Sequence, residues 1–242
     1  MPEISIQAER LFYFMGVPVT NALLLAVAVS LILISVAFYF RKRFSMVPGG
    51  FQNFLEFSLD KLLDLMDSVL GARALSEKYL PLIATVFIFI LFSNWFGLLP
   101  GVGSIGLENS HFLPLFRSPA SDLNFTIALA IISVFGVNIL GALALGPKKH
   151  LSKFFTIRSP IFSFVGLLEF ISEFIKIISF SFRLFGNVFA GEVLLVIVGF
   201  LVPYFIPLPF LFLEIFVGFI QAFIFSMLTL VFVAMAVREE AH

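Results

Sequence analysis

Apolar residues run through positions 21–40, 79–99 and 122–145 with hardly a charge among them. Each run is about as long as a helix must be to cross a hydrocarbon core of roughly 30 Å. The first is preceded by Pro18 and closed by Arg41, Lys42 and Arg43; the second is led in by Pro81 and ends FSNWFGLLP; the third closes on Gly146, Pro147, Lys148, Lys149 and His150. The pattern predicts three upright spans. Between the first two, after Pro48-Gly49-Gly50, positions 51–70 alternate at helical period. Glu56, Asp60, Asp64 and Asp67 make one stripe, and Phe51, Leu55, Leu59, Leu62, Met66 and Val69 make another on the opposite side. A helix with two such faces carries too many charges to span; it lies in the interface or packs on another subunit at the membrane surface.

The last two runs are too long to stand upright. No proline interrupts the helical pattern at 161–202. At 1.5 Å per residue that stretch is on the order of 60 Å long, and a straight helix of that length fits a bilayer only when tilted by about 60°. Either it lies steeply oblique, or it breaks near Gly186 or Gly191. Pro203, Pro207 and Pro209 make the turn, and 206–237 follows as a second over-long helix. The expected fold is an all-α membrane protein: upright transmembrane helices, one interfacial amphipathic helix, and a C-terminal pair of long, steeply tilted helices, all in a single polytopic membrane domain.

Polar residues inside these runs carry the functional signal. Glu169, Glu173, Lys176, Phe180, Arg183 and Asn187 follow one another by four, three, four, three and four, which sets them on one helical stripe. Each ionisable group at mid-membrane costs roughly 2.5–3.5 kcal/mol on insertion scales, so such groups face a partner or a wet path. Arg183 is the costliest, because a guanidinium cannot shed its proton. Glu192 lies nine residues on, about half a turn round, toward the interior or the following helix. On the last helix Glu214, Gly218 and Gln221 share a face, and Gly218 permits close approach of another helix. Asn94 either lines a polar cavity or bonds a neighbouring helix, and Trp95 beside it suits the headgroup level. The default reading is an ion pathway; taken alone, Arg183 also fits a snorkelling or ion-paired structural arginine.

Composition agrees and excludes other classes. The 242 residues are 60% hydrophobic and 12% charged, with a mean hydropathy of +1.10. That is more apolar surface than a water-soluble domain can hide. With 15 basic and 15 acidic residues, no nucleic acid is expected as a partner. The absence of cysteine removes disulfides and thiol chemistry, and His111, His150 and His242 have no metal-ligand spacing. Arg41, Lys42, Arg43, Lys61, Arg73, Lys78, Lys148, Lys149, Lys153, Arg158 and Arg238 fall on one side of the expected topology, against Arg10 and Arg117 on the other. That asymmetry predicts an external N-terminus and a cytoplasmic C-terminus. The start, MPEISIQAER, reads as neither a signal peptide nor a transit peptide. Gly101 to Gly106 fits G-x-G-x-x-G, but it follows a membrane helix and no βαβ unit, so it is rejected as a dinucleotide site. No P-loop motif occurs either.

At SFRLFGNVFAGEVLL (Ser181 to Leu195) and FLEIFVGFIQAFIFSMLTLVFV (Phe212 to Val233) the chain resembles subunit a of the F-type ATP synthase. Weaker echoes are FSNWFGLLPG and ASDLNFTIALA, so the likeness runs through nearly the whole chain. The resemblance implies that Arg183 faces a rotating ring of c subunits, each with a mid-membrane carboxylate, and stands between two half-channels. An opposite charge beside it holds a passing carboxylate ionised, so no proton is short-circuited between the channels. It further implies that Asn187 is a polar neighbour at the ring contact. Glu192 and Glu214 would form a carboxylate pair in the outer half-channel, and Gln221 matches the family glutamine that approaches the arginine. Some relatives have a histidine at one of the two acidic positions; here both are Glu. Others place acids in the second span, where this chain has Ser93, Asn94 and Gly97, which changes the expected outer lining. Glu169, Glu173 and Lys176 look like the cytoplasmic exit, or simply an ion-paired face.

The partners implied are the c ring, the b subunits of the stator stalk and the lipid bilayer of a plasma membrane. No cofactor, metal or nucleotide is expected on this chain, which is noncatalytic by itself, with ATP chemistry on other chains. Two alternatives differ in class. A secondary ion-coupled solute transporter would show a second copy of the charged, over-long pair. A bare membrane anchor would leave the intramembrane polar groups unexplained.

Overall fold

Local capping chemistry places the helix starts. Thr20 is extended, and its hydroxyl accepts from the Leu23 N–H to begin α1 (Asn21–Arg41). Asp122 does the same for α4 (Leu123–Leu145) by accepting from the Asn124 N–H. Between them lie α2 (Gly50–Leu70), ended by Gly71 at φ +80°, and α3 (Arg73–Gly97). The chain finishes with α5 (Pro160–Leu201) and α6 (Pro207–Val237). This computed structural model describes residues 8–42, 45, 47, 49–99, 101–102, 105–108, 112–148, 160–202 and 205–237. Arg43, Pro48, Gly103, His111, Lys149, His150, Lys153, Arg158, Pro203, Arg238, His242 and the first seven residues lie outside them. The architecture is that of an all-α membrane protein, with five helices long and apolar enough to span: α1, α3, α4, α5 and α6.

Two small antiparallel hairpins, for which no strand was expected, flank the bundle. β1 (Arg10–Phe14) pairs with β2 (Val17–Thr20) around Met15 and Gly16, both at positive φ. This is the two-residue turn whose twist suits a hairpin. β3 (Gly106–Glu108) pairs with β4 (Phe112–Pro114), so the end of the glycine-rich loop enters a hairpin and not a βαβ unit.

Helix α3 begins earlier than its apolar run suggests. Pro81 lies inside it and removes one backbone donor without ending it. Packing outweighs that local loss: Tyr79 and Ile83 are buried with Met66 and Leu70 of α2 and Leu230 and Val233 of α6. Thus the second half of α2 is docked on this chain, whereas Phe51, Phe54 and Phe57 of its first half are exposed. Arg73 ties the two helices together at 3.4, 3.4 and 3.0 Å from Asp60, Asp64 and Asp67. Those pairs are solvent-facing, and each contributes little.

Helix α5 is unbroken through Gly186 and Gly191. Its 42 residues make a rod on the order of 63 Å long. It packs on α4 and α6 through Phe180, Leu184 and Val188, which meet Leu129, Ala130, Ala222 and Phe225. Helices α5 and α6 run antiparallel, with Phe180 opposite Phe225 at 4.7 Å and Gly191 against Glu214.

At the end of the bundle where α3 finishes and α4 begins, a 3₁₀ turn (Pro119–Ser121) is pressed against the helices. Gly97 makes this possible, because a Cβ there would lie 2.5 Å from Ser118 Cβ and 2.8 Å from its Cα. Backbone must move to relieve such a clash, so Gly97→Ala should destabilise the fold by about 1–3 kcal/mol. A lowered thermal transition of the solubilised complex is the expected result, and an unchanged one would show the loop to be free to retreat.

Candidate functional site

Asn94 and Trp95, at the last turn of α3, reach α6 across Gly218. The Asn94 amide donates to the Gly218 carbonyl at 3.1 Å, and the Trp95 indole donates to that of Ile215 at 3.0 Å. A Cβ at 218 would come within 3.1 Å of Asn94 Cβ, so glycine lets the two helices close here. Above this clamp opens a cavity of about 230 Å³. Asn94 and Gly97 of α3, Phe116, Arg117 and Ser118 of the loop, Val188, Glu192 and Leu195 of α5, and Glu214 and Gly218 of α6 all contribute to its wall.

The polar groups of this cavity are not equivalent. Glu192 is held by Arg117, whose Nε lies 3.3 Å from Oε1 and 3.4 Å from Oε2. Glu214 is 7% exposed, its carboxyl sits in the notch left by Gly191, and among the described residues it makes no ion pair or hydrogen bond. Two buried oxygens, Asn94 Oδ1 and Ser118 Oγ, have no hydrogen-bond partner among the described residues. A space this size with several unpaired polar atoms is one that water can occupy.

A second polar cluster lies toward the other end of α5. Glu173 accepts from Lys176 at 2.6 Å and from the Asn138 amide of α4 at 3.0 Å, and the Lys176 ammonium sits 4.6 Å from the centre of the Phe232 ring. Glu169, half-buried one turn earlier, makes no ion pair among the described residues. Between cluster and cavity stands the apolar layer of Phe180, Leu184, Ala222 and Phe225. Gln221, also 7% exposed, falls in this layer, level with Leu184 by the constant register of the two helices. It makes no hydrogen bond to Arg183.

Arg183 points away from all of this. It is exposed on the outer face of α5 at the level of the apolar layer, donates to Ser179 Oγ at 3.3 Å, and has no carboxylate within ion-pair distance among the described residues. Asn187, one turn on, is exposed with it, and Gly186 between them has open space where a Cβ would be.

The structure therefore divides the expected single stripe. Glu173 and Lys176 turn toward α4 and α6, Phe180 is buried, and Arg183 and Asn187 face outward. Sequence reasoning missed Arg117 and Asn138. Arg117 sits in a loop that has no period to read; Asn138 looks like one polar residue in an apolar run, and only the crossing of α4 and α5 brings it to Glu173.

Residues 22–234 match the family described as ATP synthase A chain. A Campylobacter curvus protein named "ATP synthase subunit a" is 36% identical over 88% of this chain and 89% of its own length. "ATP synthase subunit a 1" of Syntrophotalea carbinolica is 37% identical over 88% and 84% respectively. The Moorella thermoacetica "ATP synthase subunit a" is 30% identical over 95% and 96%. With the match covering nearly all of the described helices and the relatives aligned along most of both lengths, the chain belongs to the subunit a family of F-type ATP synthases.

Proposed function

We propose that this chain is the proton-conducting stator of a rotary ATP synthase, in which protons reach and leave a ring of c subunits by two half-channels kept apart by Arg183. The observation that carries the reading is the separation itself. A polar cavity lies toward the end of α5 and a polar cluster toward its start, the packed layer of Phe180, Leu184, Ala222 and Phe225 lies between them, and Arg183 at that level faces outward. A proton crossing the membrane must then leave this chain and travel on something that moves past Arg183. A ring carboxylate meets that need. It takes a proton from the Glu192–Glu214 cavity, carries it round, and releases it toward Glu173, Lys176 and Glu169. While ion-paired with Arg183 it carries none, so the paths are not short-circuited. The field supplies about 2.3 kcal/mol per charge per 100 mV, which the ring turns into torque.

The same reading orients the chain. Arg41, Lys42, Lys61, Arg73, Lys78 and Lys148 lie at the end opposite the cavity, so the cavity opens to the outside and the basic end to the cytoplasm. The length of α5 requires a strong tilt in the bilayer, which lets one helix touch both half-channels and the ring. Asn187 borders the ring contact. Gln221 behind Leu184 comes within reach of the arginine only if side chains rearrange as the ring passes. The b subunits of the stalk find their contact on the remaining outer faces. Nucleotide chemistry belongs to other chains.

Cysteine scanning of the outer face tests this. In the assembled complex, Cys at Phe182, Gly186 and Ala190 should cross-link to Cys placed beside the ring carboxylate, and Cys at the buried Leu184 should not. Cross-links confined to lipid-facing positions of α1, with none on the Arg183 face, would end the reading.

A further inference from the structure

The cavity holds two carboxylates with opposite surroundings, and that asymmetry bears on how the proposed outer half-channel operates. Arg117 is itself 90% shielded: its side chain is 10% exposed, packed with its guanidinium 6.0 Å from the Phe189 ring centre. Its Nε donates to Ser121 Oγ at 3.1 Å, and that hydroxyl donates to the Ser118 carbonyl at 2.9 Å, so the cation is braced by the turn that carries it. Its Nη2 lies 3.5 Å from Glu192 Oε2, while Nε lies within reach of both Glu192 oxygens. A carboxylate engaged in this way by a cation that cannot lose its proton is a fixed counter-charge. Glu214 has no such partner among the described residues and only Gly191 beneath it.

We propose that Arg117 is a positioning residue of the outer half-channel: it pins Glu192 as a fixed charge in the cavity wall and leaves Glu214 as the one carboxyl there that takes up and releases the travelling proton. This rests on the function proposed above. It divides between the two glutamates a task that the family resemblance implies for them jointly. Among the described residues, the charged groups at the cavity are Arg117 from the loop, Glu192 from α5 and Glu214 from α6; α3 supplies the uncharged Asn94. Asp122, next to Ser121, is turned to the start of α4 through the Asn124 N–H.

The test is the external pH dependence of proton uptake by the assembled complex reconstituted in vesicles. Glu192→Gln should lower the rate but leave the pH midpoint in place, because proton exchange in the cavity is assigned to Glu214 and not to the carboxylate held by Arg117. A moved midpoint in this variant overturns the proposal. Arg117→Gln should shift the midpoint by about one unit, a roughly tenfold change at fixed pH, as Glu192 is left in the same cavity as Glu214 without its cation. Adding Glu192→Gln to it should cancel the shift, and Arg117→Lys should return the original midpoint. A purely structural Arg117 would change the amount of assembled complex and the rate with no movement of the midpoint in Arg117→Gln, and that result also overturns the proposal. If Arg117→Gln does not assemble, Glu192→Gln alone still decides. Arg183→Ala, run in parallel, separates the two levels: loss of coupling there with an unmoved Arg117→Gln midpoint removes only the role of Arg117, whereas normal coupling there removes the function it rests on.

Discussion

Arg183→Ala should abolish proton-driven ATP synthesis while the complex still assembles. The second half follows from where the side chain lies. It donates to Ser179, pairs with no acid of the described residues and is exposed, so its removal opens no cavity and orphans no buried charge. Surface changes of that kind cost little stability. The first half follows from the layer behind it. Phe180, Leu184, Ala222 and Phe225 are all at most 4% exposed, and among the described residues that level of the interior holds no ionisable group to take over. On the function proposed above, loss of the fixed cation would let a protonated ring carboxylate pass directly between the half-channels, discharging the gradient without turning the ring. Arg183→Lys should be a poor substitute, because an ammonium gives up its proton in an apolar setting far more readily than a guanidinium does. Synthesis in energised vesicles and passive leak in the same vesicles are the measurements. Normal coupled synthesis by Arg183→Ala would refute the assignment.

The next largest effects are expected at Glu214 and at the glycine facing it. Glu214→Gln removes the carboxyl to which proton exchange is assigned above and should slow proton uptake severely, though less completely than the arginine change. Gly191→Ala is the more telling variant. A Cβ at position 191 would fall on the Glu214 carboxyl, so that side chain must swing aside, away from the space that it shares with Asn94 and Ser118. Displacing the end of a flexible side chain costs about 0.5–1.5 kcal/mol in rotamer strain, which leaves folding and assembly intact. Uptake should nonetheless fall toward that of Glu214→Gln, since the carboxyl is present but misplaced. Glu192→Gln should slow delivery as well, to a smaller extent. Unaltered uptake rates in Glu214→Gln and Gly191→Ala together would show that protons enter by another way.

Much of the candidate site was legible before any fold was known, because its residues announce themselves by cost. Arg183, Glu192, Glu214 and Gln221 stand out in apolar helices where polar groups need a reason to be. Their spacing also separated outward from inward positions for Arg183 and Glu192, which differ by half a turn. The reading was weaker where a stripe was treated as one face. Residues at i, i+4 and i+7 align along a helix, but neighbours that cross it obliquely cover different parts of that line. So Glu173 turns inward to Asn138 while Asn187 on the same stripe remains exposed. Nor did apolar run length locate the start of α3: Arg73 and Lys78 are polar enough to hide its first turns, and packing on α2 and α6 carries the helix through Pro81.

By itself, the sequence determined that this is a membrane protein, how many helices are long and apolar enough to cross, which two are over-long and which polar groups interrupt them, because length, hydropathy and helical period are properties of neighbouring residues. Only the tertiary structure decided which charges meet. Arg117 lies 75 positions from Glu192, Asn138 lies 35 from Glu173, and Gly191 faces Glu214 across a turn. Such pairs depend on where helices remote in the chain cross and how closely glycine lets them approach, and no local pattern encodes that.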